Sequence, residues 1–350
     1  MASRSSIPSV VVIVLNWNGG EDTIACVESL RQVDYSNFVV MVVDNGSIDG
    51  SVPAIRERFP SLEIVENGRN LGFAEGNNVG IRLALERGAD YVFLLNNDTV
   101  AHPSLLHELV SAAERCPEGG VFSAKIFYQA EPTRIWYGGA TWDPQRMEFR
   151  HLVDDSQAHT DARGVAETDY ACGCAFLARS SVLRKVGLLD PKFFLIYEES
   201  DLCFRARRAG FACYYVPSAV LWHKVSSSFG GSDSPLFMYF TTRNRLLWGE
   251  RHLGRRELFR LYRILWWDLN KRLIPAFEID RHGPGLLGRF HAGIRSFASS
   301  LMERWHEPQN QAVAWDALHY FTRRFGDAPK RVRTLGRTDG SDDGTREVSS

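Results

Sequence analysis

Between Val10 and Leu95 the chain switches repeatedly between two hydrophobic periodicities, and this alternation limits the possible folds more than any other feature. Val10–Leu15 is an unbroken apolar, mostly β-branched run that ends in Asn16-Trp17-Asn18-Gly19-Gly20. A run so short and continuous, closed by turn residues, reads as a strand buried on both faces. Phe38–Val43 repeats the pattern and closes on Asp44-Asn45-Gly46-Ser47; Leu62–Val65 and Tyr91–Leu95 follow. Helical spacing is expected between them, from a cap at Asp22 to Arg31, from Val52 to Phe59 and from Ala74 to Arg87. Strands alternating with helices of this length predict an α/β domain with a mostly parallel sheet covered on both faces. Ligands of such sheets bind beyond the carboxyl ends of the strands. Here those ends are Asn16–Asn18, Asp44–Ser47 and Asn96–Asp98.

From Gly120 to Val216 the pattern becomes that of a mixed sheet with hairpins. Gly138-Gly139 and Asp143-Pro144 are turn signals, and 153–163 is a polar loop. A strand over Tyr170–Ala178 is expected to lead into a helix capped by Ser180. A second helix is expected from Glu199 to Ala209, then a strand over Phe211–Val216 stopped by Pro217. Beyond Pro235 the pattern is helical, with Leu258, Leu261, Leu265, Leu269 and Leu273 at spacings of three and four. From Leu335 the chain is Gly-, Ser-, Asp- and Thr-rich without periodicity and reads as a disordered tail.

The net charge of −1 conceals an uneven distribution: Tyr239 to Arg333 holds 18 Lys/Arg against nine Asp/Glu. Such a segment is either a solvated helical face or the neighbour of an anionic surface. No recognition motif accompanies it, which argues against nucleic acid. Six cysteines lie without zinc or redox spacing, Cys172 and Cys174 being one residue apart, and this fits a reducing compartment. The only apolar run near the N-terminus, Val10–Leu15, is too short for a signal peptide, and no stretch is long enough to span a membrane.

No Gly-rich dinucleotide or P-loop pattern follows the first strand, so a phosphate-bearing ligand must be held in another way. Asn96-Asn97-Asp98 offers a carboxylate that can bind a divalent cation bridging a diphosphate. The competing reading is a turn, or a cap for a helix begun by Pro103. Tyr197-Glu198-Glu199-Ser200-Asp201 places three acids at a helix start. Complementarity to the helix dipole accounts for one or two of them. The preceding run Phe193–Tyr197 adds an apolar wall that raises a carboxyl's proton affinity and suits a general base. His223 precedes the Ser/Gly-rich segment Ser226–Gly230, read as a flexible loop. It is either an ordinary hydrogen-bonded histidine or a metal ligand at a mobile site mouth.

Taken in order, these segments resemble the family 2 inverting glycosyltransferases of the GT-A fold, in particular their rhamnosyltransferase-like branch, over about Ser9 to Arg245. The motifs that carry the resemblance begin with Val12-Ile13-Val14-Leu15-Asn16-Trp17-Asn18-Gly19 and Val42-Val43-Asp44-Asn45-Gly46-Ser47. Asn70-Leu71-Gly72-Phe73-Ala74-Glu75-Gly76-Asn77-Asn78-Val79-Gly80 and Leu95-Asn96-Asn97-Asp98 follow. The later ones are Gly187–Phe194, Glu198–Arg205 and Trp222-His223. Two positions depart from the family pattern: Asn96 replaces the first Asp of Asp-x-Asp, and Glu198-Glu199 replaces a Glu-Asp pair.

The resemblance implies a GT-A type, mostly parallel nucleotide-binding sheet flanked by helices, with a mixed-sheet acceptor half and a C-terminal helical region. The implied division is a catalytic domain at 1–235 (9–119 for the nucleotide-sugar, 120–235 for the acceptor), basic amphipathic helices at 236–333 and a tail at 334–350. It implies a nucleotide-diphosphate-sugar donor, a glycan or lipid-linked acceptor, and a divalent cation, Mg²⁺ or Mn²⁺, held by Asp98 and His223. Asp44 is expected to contact the nucleobase, with Asn16, Asn18, Asn45, Asn70, Gly72, Asn77 and Asn97 on the nucleotide-sugar side. Glu199 is expected to be the base, Glu198 the second choice, with Asp201 the third acid of the motif. Cytoplasmic location is expected, with the basic Trp266-Trp267 region set at the inner face of the cell membrane or packed on the catalytic domain or a second subunit of a homodimer. A sugar nucleotidyltransferase and a non-catalytic nucleotide- or glycan-binding module are the competing readings.

Overall fold

The first strand, β1 (Val10–Asn16), is apolar along its whole length because it lies inside a sheet covered on both faces, with Val12, Ile13 and Val14 fully buried. The structure is a computed structural model that describes residues 7–154, 161–225, 234–274 and 285–335, the side chains of 285–295 excepted. After α1 (Gly20–Leu30), strand β2 (Phe38–Asp44) pairs parallel to β1 and brings Asp44 level with Asn16. Next come α2 (Ser51–Arg58), β3 (Glu63–Glu66), α3 (Gly72–Glu86) and β4 (Tyr91–Asn96). β3 runs parallel to β2, and β4 runs parallel to β1 on its other side. Each fully buried Val, Ile, Leu or Phe here contributes about 1.5–3 kcal/mol, so the alternation of runs and helices is sufficient to select this layer order.

The second half adds β5 (Thr99–Ala101), α4 (Leu105–Arg115), β6 (Gly119–Tyr128) and β7 (Ile135–Tyr137). The hairpin β8 (Ala140–Asp143) and β9 (Glu148–His151) turns at Asp143-Pro144 as expected, and β10 (Ala166–Glu167) follows. Then come β11 (Ala175–Arg179), α5 (Ser180–Val186), α6 (Glu198–Arg208) and β12 (Ala212–His223). Among the described residues the main sheet has the order β10-β12-β6-β11-β4-β1-β2-β3, with β5 on β12 and β7 on β6. It is parallel across β3-β2-β1-β4 and mixed beyond, because β11 runs antiparallel to both β4 and β6. This is the expected mixed α/β class.

Several local expectations are corrected. Asp22 and Ser180 do not cap their helices. Gly19 and Arg179 hold the cap positions, which leaves Asp22 and Ser180 inside the first turns. The strand expected from Tyr170 begins only at Ala175, since Cys172-Gly173-Cys174 forms a turn. Pro217 does not end its strand. Val216 pairs with Ala124 and Val220 with Lys125, so Pro217, Ser218 and Ala219 bulge out of the ladder and β12 continues to His223. A bulge accommodates a residue that has no N–H to donate. The strand β5, inserted after Asp98, separates that residue from α4, whose cap position is Ser104.

The chain divides into two compact units, Met1–Ser227 and Ser228–Ser350. In the second, α7 (Pro235–His252) starts with Pro235 at a first-turn position and Ser234 accepting the Phe237 amide at 3.1 Å. α8 (Arg255–Leu273), α9 (Gly285–His306), α10 (Pro308–Phe321) and α11 (Lys330–Arg333) follow. α10 packs along α7, with the Tyr239 hydroxyl 2.6 Å from His319 Nδ1 and Arg243 Nη1 donating to Gly326 O at 2.6 Å. In the leucine stripe of α8 only Leu261 is fully buried. Among the described residues no helix is long and apolar enough to cross a membrane. The tail from 336, the loop segment 155–160 and the loop after His223 at 226–233 lie outside the described residues.

Candidate functional site

The carboxyl ends of the parallel strands are tied together by a lattice of short polar side chains. Asn16, fully buried, donates to Asp44 Oδ1 at 2.8 Å and Ser47 Oγ at 3.0 Å, and its own oxygen accepts the Thr23 hydroxyl at 2.7 Å. Asp44 Oδ2 accepts the amides of Gly46 and Ser47 at 3.1 and 2.9 Å, so this carboxylate organises the turn after β2. Asn18 adds to the same turn, its oxygen accepting the Ile48 amide at 2.9 Å. Asn45 links the turn to the start of α3, donating to Asn70 Oδ1 at 3.0 Å and Gly72 O at 3.2 Å. Asn97 donates to Thr23 Oγ1 at 3.0 Å. Asn77 is directed into its own helix, donating to Phe73 O at 2.9 Å. A cavity of about 430 Å³ opens beside the lattice, with Asn18, Gly19, Asp22, Asp49, Ser51 and Lys224 in its walls.

The structure brings Asp98 and His223 together although 125 positions separate them. β12 pairs with β5 so that His223 faces Thr99, and His223 Nε2 stands 3.0 Å from Asp98 Oδ1, with both side chains 7% exposed. Asn96 Nδ2 lies 3.5 Å from the same ring nitrogen, and Trp136 packs edge-on against the imidazole at 4.9 Å. His223 Nδ1 is buried with no hydrogen-bond partner among the described residues. A carboxylate oxygen and an imidazole converging in a buried setting suit a divalent cation. Among the described residues no group of three or more His, Cys, Asp or Glu is placed to hold a metal ion. Two side chains alone do not complete the coordination of such a cation.

The acidic motif sits behind a strained approach. Phe194, Ile196 and Tyr197 have φ of 63°, 69° and 78°, left-handed values that cost about 1–3 kcal/mol each in non-glycine residues. The loop is fastened from outside. Ala74 donates to Phe194 O at 3.2 Å, and Asn78 clamps Leu189 through both ends of its amide, at 2.8 and 3.1 Å. Gly72, at φ 79°, lies so close that a Cβ there would stand 2.6 Å from Phe194 O. The strained turn delivers α6 with Glu198 and Glu199 buried to different degrees. Glu198 is 3% exposed, and burial with the adjacent Glu199 charge holds its proton well above the usual carboxylate range. Glu199 is only partly buried. Burial raises its proton affinity too, while the backbone amides of Glu199, Ser200, Gly173 and Tyr197 oppose that rise. Each residue has one carboxylate oxygen without a hydrogen-bond partner among the described residues. Asp201, by contrast, accepts Arg205 Nε at 2.8 Å, and Arg205 goes on to donate to Val186 O and Leu188 O at 2.6 and 2.7 Å.

Between the acids and the Asp98–His223 pair runs Cys172-Gly173-Cys174. The Cys172 thiol is pushed upward by burial and by Glu199, and the Cys174 thiol by burial, Cys172 and Asp98. Cys174 O accepts the Asn96 amide at 3.0 Å, and the Gly173 backbone packs near Phe73 and Glu199 Cβ. This segment, with Thr23 and Trp136, lies among the candidate site residues but was not singled out from the sequence, and Asn78 and Arg205 entered only as parts of the quoted motifs. Arg205 also left a local sign, the i, i+4 spacing from Asp201.

Residues 9–187 match the family described as Glycosyl transferase family 2. The chain belongs to glycosyl transferase family 2. It is 26% identical over 266 residues to N-acetylglucosaminyl-diphospho-decaprenol L-rhamnosyltransferase of Mycobacterium tuberculosis, an alignment covering 69% of this chain and 85% of that protein. It is 20% identical over 228 residues to the dTDP-rhamnosyl transferase RfbF of Shigella flexneri, covering 62% and 73%. The fold of this family 2 glycosyltransferase is GT-A. It superposes with a TM-score of 0.53 and 15% identity on the mannosyltransferase PcManGT from Pyrobaculum calidifontis, solved with GDP-Man and Mn²⁺, over 91% of this chain and 89% of that one.

Proposed function

We propose that this glycosyltransferase moves a sugar from a nucleotide diphosphate donor to a hydroxyl of a glycan or lipid-linked acceptor, with inversion at the anomeric carbon, in cell-surface polysaccharide biosynthesis. L-Rhamnose from dTDP-rhamnose is the first candidate donor, on the strength of the rhamnosyltransferases it is similar to. The observation that carries the reading is the unequal burial of Glu198 and Glu199, set across Cys172–Cys174 from Asp98 and His223.

In this reading the acceptor oxygen attacks the anomeric carbon as the bond to the diphosphate breaks, and Glu199 takes the acceptor proton. A base is most effective when its proton affinity lies near the working pH, and burial moves Glu199 in that direction. Burial and the adjacent Glu199 favour the protonated form of Glu198, which keeps a second charge out of the pocket. Asp98 and His223 would hold the Mg²⁺ or Mn²⁺ that offsets charge on the departing diphosphate. Asp44, with Asn16 and Ser47, shapes the turn that receives the nucleobase. Asn18, Asn45, Asn70, Gly72 and Asn97 fix the donor side, and Asn77 stiffens the start of α3. Asp201 is a positioning residue that works through Arg205. The catalytic domain extends over residues 1–235 and works in the cytoplasm.

The test is incubation with a panel of nucleotide sugars and Mg²⁺ or Mn²⁺, with and without chelator. Cation-dependent release of nucleoside diphosphate, largest with dTDP-rhamnose, is the expected result. Release of pyrophosphate would instead indicate nucleotidyl chemistry, and no turnover with any donor would indicate a binding module.

A further inference from the structure

The helix α8 has two unlike faces. Leu258, Leu261, Leu265 and Leu269 form the stripe that turns inward, with Leu261 fully buried. Phe259, Trp266 and Trp267 point outward at 65%, 67% and 72% exposure. Arg256, Arg260, Arg263 and Lys271 are also exposed. At 3.6 residues per turn these aromatic and cationic side chains fall within one arc, Phe259, Arg263, Trp266 and Trp267 standing at i, i+4, i+7 and i+8. Both acids of the helix, Glu257 and Asp268, lie roughly 160–180° from Phe259. The arc from Trp266 round to Lys271 is therefore aromatic and cationic, and the exposed Glu257 and Asp268 lie beyond its edge. Ile274, 52% exposed, follows at its end. Arg304 Nη1 donates to Lys271 O at 2.9 Å, which brings the end of α9, with Met302 63% and Trp305 48% exposed, beside the end of α8.

We propose that this face of α8 is a docking surface for an anionic lipid bilayer. Indole rings favour the depth of lipid headgroups, where the apolar body is shielded and the N–H stays wet. Arginines interleaved with them meet the negative surface potential of such a leaflet. The charge pattern selects this occupant over a second copy of the chain. A symmetric dimer through the same arc would set the arginines of one copy against those of the other, with the acids outside the arc. The surface lies in the unit Ser228–Ser350, which holds none of the candidate site residues, so its failure and that of the transfer reading are separable.

The test is flotation of the full chain with phosphatidylglycerol–phosphatidylcholine vesicles and with phosphatidylcholine alone, at low and high salt. The expected result is binding to the anionic vesicles only, weakened by salt. Trp266→Ala/Trp267→Ala and Arg256→Gln/Arg260→Gln/Arg263→Gln should each lower the bound fraction at least about ten-fold. Nucleoside diphosphate release without vesicles should be unchanged in both, which also shows that the variants fold. Equal binding to neutral vesicles, no binding at low salt, or variants that float like wild type would overturn the proposal. So would wild-type self-association, or nucleic-acid binding, that the tryptophan variant abolishes. Binding that holds while no donor turns over would leave the surface standing and remove the transfer reading.

Discussion

Replacing each glutamate of the Glu198–Glu199 pair by glutamine tests the proposed division between a buried acid and a base. Glu198 is 3% exposed, and burial with the neighbouring Glu199 keeps its proton on well above the usual carboxylate range. A protonated carboxyl and an amide have nearly the same shape and neither is charged, so Glu198→Gln should leave turnover near neutral pH within roughly three-fold of wild type. Glu199→Gln removes the proposed base, and should lower kcat by about 10²–10⁴ while leaving donor affinity nearly intact. Stability gives a second readout. A carboxyl whose folded pKa lies above its unfolded value, near 4.5 for Glu198, contributes stability that is full below that value. That contribution is lost as pH rises toward the folded pKa, by at most about 1.4 kcal/mol per unit. Above about pH 5, urea midpoints should therefore show Glu198→Gln gaining on wild type as pH rises. If Glu198→Gln were as inactive as Glu199→Gln, or its stability advantage failed to grow with pH, the assignment of base and buried acid would be wrong.

Two further substitutions probe the fastening of the acidic loop. Gly72→Ala places a methyl about 2.6 Å from Phe194 O in a left-handed backbone position, and should destabilise the fold by about 2–4 kcal/mol in urea titrations. An unchanged midpoint would mean that this contact is not made. Asn78→Ala removes both bonds to Leu189 and should cost about 1–3 kcal/mol. It should also lower kcat more than it raises the donor KM, because the loop it holds leads to Glu199; a pure KM effect would contradict that role.

The parallel half of the sheet was readable because every determinant is local. Three short apolar runs closed by Asn16, Asp44 and Asn96, with the shorter Leu62–Val65, define strands and the edge on which ligands bind, and β1, β2, β3 and β4 follow within a residue or two. The mixed half was less legible where a long-range pairing overrode a local rule. Proline is a sound reason to end a strand, yet Pro217 sits where β12 gains three bulged residues against β6. That bulge decides the site, since the continuation beyond it carries His223 to Asp98. The approach to the acids was illegible for a related reason. Nothing in Phe193–Tyr197 announces three left-handed residues, because the conformation is imposed by Gly72, Ala74 and Asn78 from another part of the chain.

These contacts give the acidic motif its meaning. Three acids in a first helical turn are explained well enough by the helix dipole while they face water. Here Asp201 is 1% exposed and ion-paired to Arg205, Glu198 is sealed, and only Glu199 keeps some exposure. A dipole alone provides no reason to bury two of three carboxylates behind a turn strained at three positions. The strain is maintained by α3, whose start is tied through Asn70 and Asn45 to the turn after β2. The segment Cys172–Cys174 in turn ties Glu199 to the strand end that bears Asn96 and Asp98. The side chains assigned to the donor therefore fix the geometry of the carboxylate assigned to the acceptor. A substitution in either group should reach the other before it reaches the rest of the fold.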